Sequence, residues 1–242
     1  MASITSKAGI GRSTHMVSVT RNSFPGPWVE GICMILAPIL GVAGLALSLG
    51  VYKFKGAGMM TAMADNHIRG GLAINLSVAS MMLLLIAVIA LAHRITAVKP
   101  GWGRWGGIVT IVGLMGPIFF GGIFFGSYTI TAYPAAGAYL IDHANVIPSN
   151  IVNVSAPCIV VGWILLGIGA YKAGILGKAR AICLGLGCLL APGLAAAIVP
   201  LGIAAAVLIG IALVPLGLEI IRAARDPGGE PASAGATPYL AS

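Results

Sequence analysis

Six apolar segments, each close to the length needed to cross a bilayer, constrain this chain more than any other feature. A hydrocarbon core about 30 Å thick takes about 20 helical residues. Because lipid offers no hydrogen-bond partner to backbone groups, open-ended segments that span it must be helical. The sequence therefore predicts an all-α fold, a polytopic helical bundle with six transmembrane helices. The segments cover 29–52, 70–93, 105–132, 151–171, 181–199 and 201–221.

The last two segments form one continuous apolar run that contains Pro200, Leu201 and Gly202. A single helix of that length would overshoot the membrane, and proline and glycine are the residues that break helices. We therefore expect a tight helical hairpin whose turn lies at 200–202.

Composition excludes several classes of protein. Charged residues make up 8% of the chain and apolar residues 58%, against about 25% and 45–50% in an ordinary soluble domain. So few charges cannot cover the surface of a water-soluble enzyme, and the apolar content argues against an intrinsically disordered protein. The net charge of +8 is scattered through loops and tails rather than gathered in a patch, so we expect the lipid bilayer as a partner and no nucleic acid.

The distribution of the basic residues predicts the orientation. With the N-terminus in the cytoplasm, the outer segments hold only Lys53, Lys55 and Arg69, and the other eleven of the 14 basic residues lie inside. This satisfies the positive-inside rule and predicts a multi-pass plasma-membrane protein with both termini cytoplasmic. Residues 1–27 and 223–242 are expected to be disordered tails of a 28–222 transmembrane domain. Four aromatic residues lie at predicted segment ends, as in an aromatic belt: Trp28, Trp102, Trp105 and Tyr133.

Residues 37–53 can be aligned with 156–172, the first predicted helix with the fourth. The alignment matches Ala37 with Ala156, Pro38 with Pro157 and Tyr52 with Tyr171, among others. Since three crossings separate the two helices, a true repeat would be a 3+3 inverted repeat, as in many transporters. Chance similarity in a chain rich in Gly, Ala and Leu is the other interpretation.

The acidic and histidine side chains are the candidates for proton chemistry. Glu30 lies near the inner interface, and so does Glu219, whose spacing from Arg222 permits an ion pair. The outer stretches Asp65–Arg69 and Asp142–Asn145 bring carboxylate and imidazole groups to one face. If these loops cover a cavity, they supply a general acid or base; otherwise they are simply solvated. The catalytic candidates are Glu30, Asp65, Asp142 and His67, with no metal and no cofactor predicted.

An aromatic cluster follows Pro117 in the third helix. Phe120, Phe124 and Tyr128 fall on one flank at i, i+4 and i+8. Together with Trp163, these rings can line an apolar pocket and stabilise a cation through their π faces; alternatively, they face lipid or pack in the core. Asn75 and Asn153 either line such a pocket or form hydrogen bonds between helices.

The Leu36-Ala37-Pro38 pattern, the Asp65-Asn66-His67 stretch and the small size resemble six-helix integral membrane proteins of actinobacteria. Some proteins of that kind are similar to membrane-bound terpene cyclases. The resemblance implies a metal-independent cyclisation of a prenyl chain, initiated by a carboxylic acid. Such chemistry requires one acid, a water-poor cavity and aromatic walls for the carbocation. Glu30, Asp65 and Asp142 are the candidate donors.

The sequence is also compatible with other functions. The apolar interior of the predicted spans argues against a transporter of ions or polar solutes. A permease, or an export or immunity-type protein for a hydrophobic small molecule, is the main alternative, and the proposed repeat favours it. A helix-packing subunit of a larger complex is a third possibility. The first two hypotheses share a lipophilic small-molecule ligand that enters from the bilayer, and the oligomeric state is left undetermined.

Overall fold

The computed structural model describes residues 26–50, 61–62, 65–129, 146–191 and 198–225, without the side chains of 120–129 and 146–153. Within these ranges the protein is all-helical and has no strand. The six long helices are α1 (Pro27–Ser48), α2 (His67–Val98), α3 (Pro100–Thr129), α4 (Val146–Lys172), α5 (Lys178–Leu190) and α6 (Val199–Arg225).

Four of these helices are long and apolar enough to cross a membrane. They are α1, α2, the 154–172 part of α4, and α6, with mean hydropathies of 1.9 to 2.5. The all-helical fold is confirmed, and the four candidate spans agree in length and composition with a membrane protein. Helix α3 has 30 residues and α5 has 13, so α5 is too short to cross a bilayer by itself.

Each helix packs antiparallel against its neighbours in the sequence, and α6 returns to α1. The main packing pairs are α1–α2, α2–α3, α3–α4, α4–α5, α5–α6 and α6–α1, with a smaller contact between α2 and α4. This order closes the bundle into a ring around a core of buried side chains that includes Met34, Leu91, Trp163 and Leu213.

Small residues set the register between α3 and α4. Gly106 lies against Leu166, Gly162 against Thr110, and Gly113 against Ile159. A Cβ atom at Gly113 or Gly162 would collide with the backbone of the opposite helix. The two helices therefore approach as closely as small-residue interfaces between membrane helices allow.

The antiparallel ring places alternate helix ends together. The beginnings of α1, α3 and α5 share one end of the bundle with the last turns of α2, α4 and α6. We call this the basic end, because Glu30 and Glu219 are outnumbered there by Lys and Arg. The first turn of α1 and the end of α6 also meet here, since the Arg225 guanidinium lies 5.4 Å from the Trp28 ring. The basic residues are Arg94, Lys99, Arg104, Lys172, Lys178, Arg180, Arg222 and Arg225.

The opposite end holds the end of α1 and the beginning of α2. Here the Arg69 side chain donates hydrogen bonds from Nε to the Leu47 carbonyl (2.8 Å) and from Nη2 to the Leu49 carbonyl (2.9 Å). These carbonyls belong to the last turn of α1 and to its C-cap residue, where no further helical N–H is present to bond them. Arg69 therefore caps α1 from the neighbouring helix.

Some predicted boundaries are wrong. The hairpin turn expected at 200–202 is not there, because α6 begins at Val199 and contains Pro200 in its first turn. Proline is tolerated there, since the N–H groups of a first turn have no helical partner. Helix α5 ends at Leu190 instead, ahead of Pro192. The tails 1–25 and 226–242 lie outside the described residues, and α6 continues to Arg225 rather than ending at 222.

Candidate functional site

Glu30 lies in the first turn of α1 and forms an ion pair with Arg94 in the last turns of α2. Its Oε2 accepts hydrogen bonds from Arg94 Nη2 (2.7 Å) and Arg94 Nε (3.0 Å). The side chains are 2% and 17% exposed, respectively. This is a buried ion pair that joins the first two helices of the ring at the basic end.

The ion pair bears on the proposed role of Glu30 as a proton donor. An oxygen that already accepts two N–H bonds is poorly placed to deliver a proton to a substrate. The carboxylate also lies at the beginning of α1, where the helix dipole favours a negative charge. The geometry around Glu30 therefore favours a structural role over general-acid catalysis.

A second ion pair lies at the same end. Arg180 Nη1 of α5 donates to Glu219 Oε1 of α6 at 2.9 Å, and both side chains are well exposed. The spacing of Glu219 and Arg222 permitted a pair within one helix, but the structure shows Glu219 bonded to a neighbouring helix instead. An exposed pair of this kind contributes little to stability.

Asp65 and His67 lie at the opposite end of the bundle, at the beginning of α2. Asp65 is helical, Asn66 forms a turn, and His67 opens α2, so the stretch expected to be a loop is largely a helix start. Both side chains are exposed. The structure therefore places an acid and an imidazole at the surface of this end, close to the Arg69 cap.

Asn75 and Trp163 occupy different environments. The Asn75 amide Nδ2 donates to the Gly71 carbonyl one turn earlier in α2 (2.8 Å), a bond within one helix. Trp163 is 1% exposed and belongs to the main core. A hydrogen bond between helices, one of the two alternatives for Asn75, is made in the structure by Ser80, whose Oγ donates to the Ala37 carbonyl (2.7 Å).

Helix register separates the predicted aromatic wall into two groups. The α3–α4 contacts put Trp163 level with Val109, so the Phe120 position lies eleven residues farther along α3. At 1.5 Å per residue this is about 16 Å, and Phe124 and Tyr128 lie about 22 and 28 Å away along the bundle axis. Trp163 therefore cannot line one small pocket with Phe124 and Tyr128.

The remaining candidates gather in the half of the bundle away from the basic end. The contacts of Ala92 with Gly103 and Gly107 put Asn75 and Phe124 at similar levels, and Asn153 is level with Phe119 by the register between α3 and α4. The side chains of Phe120, Phe124, Tyr128 and Asn153, and all of Asp142, lie outside the described residues. We call this region the outer half, after the orientation that the sequence predicts, and define it by Asp65, His67, Asn75, Phe120, Phe124, Tyr128 and Asn153.

Two contacts are not predicted by the sequence pattern. One is the Glu30–Arg94 pair, although an acid and a base near the same end of consecutive antiparallel helices signal a possible pair. Arg69 gave no such signal, because capping a neighbouring helix depends on the path of the chain between α1 and α2. Among the described residues, no three His, Cys, Asp or Glu side chains lie together as a metal site would require.

Comparison with protein-family models, with characterised proteins and with solved structures gives no match for this chain. The similarity to actinobacterial membrane proteins and terpene cyclases therefore remains a prediction from the sequence pattern.

Proposed function

We propose that the chain crosses the plasma membrane six times, with the basic end and both termini in the cytoplasm. Four spans are long and apolar enough by themselves, and α3 is about 45 Å long at 1.5 Å per residue. Helix α5 extends about 20 Å, so the fifth crossing also needs residues beyond Leu190. The excess of Lys and Arg at the basic end supports this orientation, since such residues remain in the cytoplasm.

The ligand of this protein, in our proposal, is a lipophilic small molecule that enters from the bilayer. One observation carries this: every charged side chain in the described part lies at one of the two bundle ends, and the buried one, Glu30, is paired. The buried hydroxyls of Ser48, Ser80 and Thr110 donate to backbone carbonyls. Such an interior suits an apolar ligand better than an ion or a polar solute.

The reaction we favour is acid-initiated cyclisation of a prenyl chain in the outer half. A carboxylic acid protonates a terminal alkene or epoxide, and the resulting carbocation is attacked by the next double bond, which closes a ring. Loss of a proton from carbon ends the sequence, so the product is an isomer of the substrate. Aromatic faces at Phe120, Phe124 and Tyr128 would stabilise the cation. Asp65 and Asp142 are the preferred donors, since Arg94 holds Glu30.

The test is conversion of a prenylated aromatic compound, supplied with and without a terminal epoxide, by the protein in vesicles. Mass spectrometry should show a product of unchanged mass and altered retention. Asp65→Asn or Asp142→Asn should abolish its formation, because the amide cannot supply the proton. Absence of product with the wild-type protein, or full turnover in both amide variants, would contradict the proposal.

A matched control separates Glu30 from the other acids. Replacing both members of the ion pair, as in Glu30→Met with Arg94→Met, removes the carboxylate without leaving a buried charge. If Glu30 is structural, the double variant converts the substrate at close to the wild-type rate. Loss of turnover in a stably folded double variant would instead identify Glu30 as the acid.

The second candidate is transport of a hydrophobic molecule. The observation that favours it is that both ion pairs in the described part of the chain, Glu30–Arg94 and Arg180–Glu219, join neighbouring helices at the basic end. Such pairs can close one side of a transporter, and the ring order of the helices suits a 3+3 inverted repeat. Labelling of single cysteines along α4 from both sides of a vesicle separates the two functions. Labelling of one position from alternating sides favours transport, and labelling from one side favours an enzyme.

A further inference from the structure

An apolar groove of about 220 Å³ lies near the basic end, where the first turns of α3 meet α4. It is lined by Gly101, Trp102, Trp105 and Leu165. Trp105 is 66% exposed, so the groove opens outward, away from the core. In a membrane, this position lies near the boundary between headgroups and acyl chains, where tryptophan side chains concentrate.

Apolar side chains continue from the groove along both helices toward the bundle centre. On α3, exposed residues repeat every three or four positions after Trp105, and on α4 they do so on both sides of Leu165. Residues at this spacing share one helix face. We call these exposed residues the apolar track: Ile108, Val112 and Met115 on α3, and Val161 and Ile168 on α4.

Lys172 lies beside the same groove, and Arg104 lies in the first turns of α3, which line it. Lys172 follows Leu165 by seven residues and therefore lies on the same face of α4, and its Nζ is 4.3 Å from the centre of the Trp102 ring. Arg104 follows Gly101 by three residues on α3 and is exposed. The Lys172 ammonium over the indole ring still has N–H groups to donate, so it can bind a phosphate. The exposed Arg104 guanidinium offers further N–H donors.

We propose that this groove binds an anionic phospholipid of the cytoplasmic leaflet. One acyl chain lies in the groove and along the apolar track, and the phosphate is held by Lys172 and Arg104. A zwitterionic lipid offers the same chain but no net charge. The proposal rests on the membrane placement given above and is independent of whether the protein is an enzyme or a transporter.

The experiment measures quenching of tryptophan fluorescence in vesicles that contain phosphatidylglycerol or phosphatidylcholine, each brominated on the acyl chain. The brominated anionic lipid should quench at a lower mole fraction, by about fivefold for each cation involved. Trp105→Phe should reduce this difference, since Trp105 is one of the two tryptophans that line the groove. Equal quenching by the two lipids would overturn the proposal.

Three charge variants identify the binding residues. Lys172→Gln should reduce the preference for the anionic lipid by about fivefold, whereas Lys172→Arg should keep it. Arg222→Gln serves as the matched control, because Arg222 is exposed at the same end on α6, whose packing partners are α1 and α5. If Arg222→Gln has the same effect as Lys172→Gln, the preference is a property of the whole basic end, and the groove is not the site. Competition by soluble glycerol phosphate would show a headgroup site without the acyl chain and would equally contradict the proposal.

Discussion

Removing the Glu30–Arg94 ion pair one partner at a time should produce unequal losses of stability. Breaking a buried pair costs about 3–5 kcal/mol, because the remaining charge stays buried without a partner. Arg94 is 17% exposed and can move its guanidinium toward the headgroups, whereas Glu30 is 2% exposed. We therefore expect Glu30→Met to cost about 3 kcal/mol and Arg94→Met about 5 kcal/mol of unfolding free energy.

The double variant provides the decisive comparison. With both side chains replaced by methionine, no charge is left buried, and the unfolding free energy should lie within about 1 kcal/mol of the wild-type value. The coupling energy from the double-mutant cycle should then exceed about 3 kcal/mol. A surface pair would show less than about 1 kcal/mol, and the exposed Arg180–Glu219 pair is the matched control within the same protein.

The assay is reversible unfolding in mixed micelles with increasing mole fractions of SDS, followed by circular dichroism. The reasoning is refuted if the double variant is as unstable as Arg94→Met, because the loss would then come from packing rather than charge. Single variants within about 0.5 kcal/mol of the wild type would also refute it, since that is the effect of an ordinary surface substitution.

Three further predictions concern helix contacts, and each is measured as a change in unfolding free energy by the same assay. Gly162→Ala should cost about 2–3 kcal/mol, because its Cβ meets the α3 backbone at Thr110. Gly185→Ala, with open space around it, should be neutral or slightly stabilising, and similar values for the two variants would contradict the close approach of α3 and α4. Arg69→Met should cost about 1–2 kcal/mol and speed hydrogen exchange in the last turn of α1, which it caps; unchanged exchange there would argue against the cap. Ser80→Ala should cost only about 0.6 kcal/mol, the average for a hydrogen bond between membrane helices, and a loss above about 2 kcal/mol would show that Ser80 does more than bond to Ala37.

The membrane character of the fold follows from local properties of the sequence. Long apolar runs without charged residues predict membrane spans regardless of which helices pack against them. The bounds of α1, α2 and α6 match the predicted spans within a few residues. The turn before α6 was misplaced, because Pro200 is equally compatible with a break and with a first helical turn. Sequence alone cannot separate the two, since the choice depends on where the preceding helix stops.

The side-chain partners could not be predicted in the same way, since they depend on register between helices. Glu219 had a possible partner three residues away in its own helix, but the structure shows it bonded to Arg180 of α5. Likewise, one interpretation of Asn75 was a hydrogen bond between helices, yet its amide donates to the Gly71 carbonyl of its own helix. Spacing along one helix restricts which pairs are possible, and packing decides among them.

Register also narrows the choice of catalytic group. Arg94 of α2 lies within one turn of the level of Gly103 and Gly107 on α3. Because Glu30 is bonded to Arg94, it lies about 28 Å from Phe124 along the bundle axis. This distance is nearly the thickness of the hydrocarbon core. A proton delivered by Glu30 would therefore produce a carbocation far from the aromatic cluster of α3. A cyclase that uses Phe124 and Tyr128 as its walls must take its proton from the other end of the bundle. A cyclase that uses the aromatic cluster therefore requires Asp65 or Asp142 as its acid. Turnover that survives the loss of both acids would exclude the aromatic site as well.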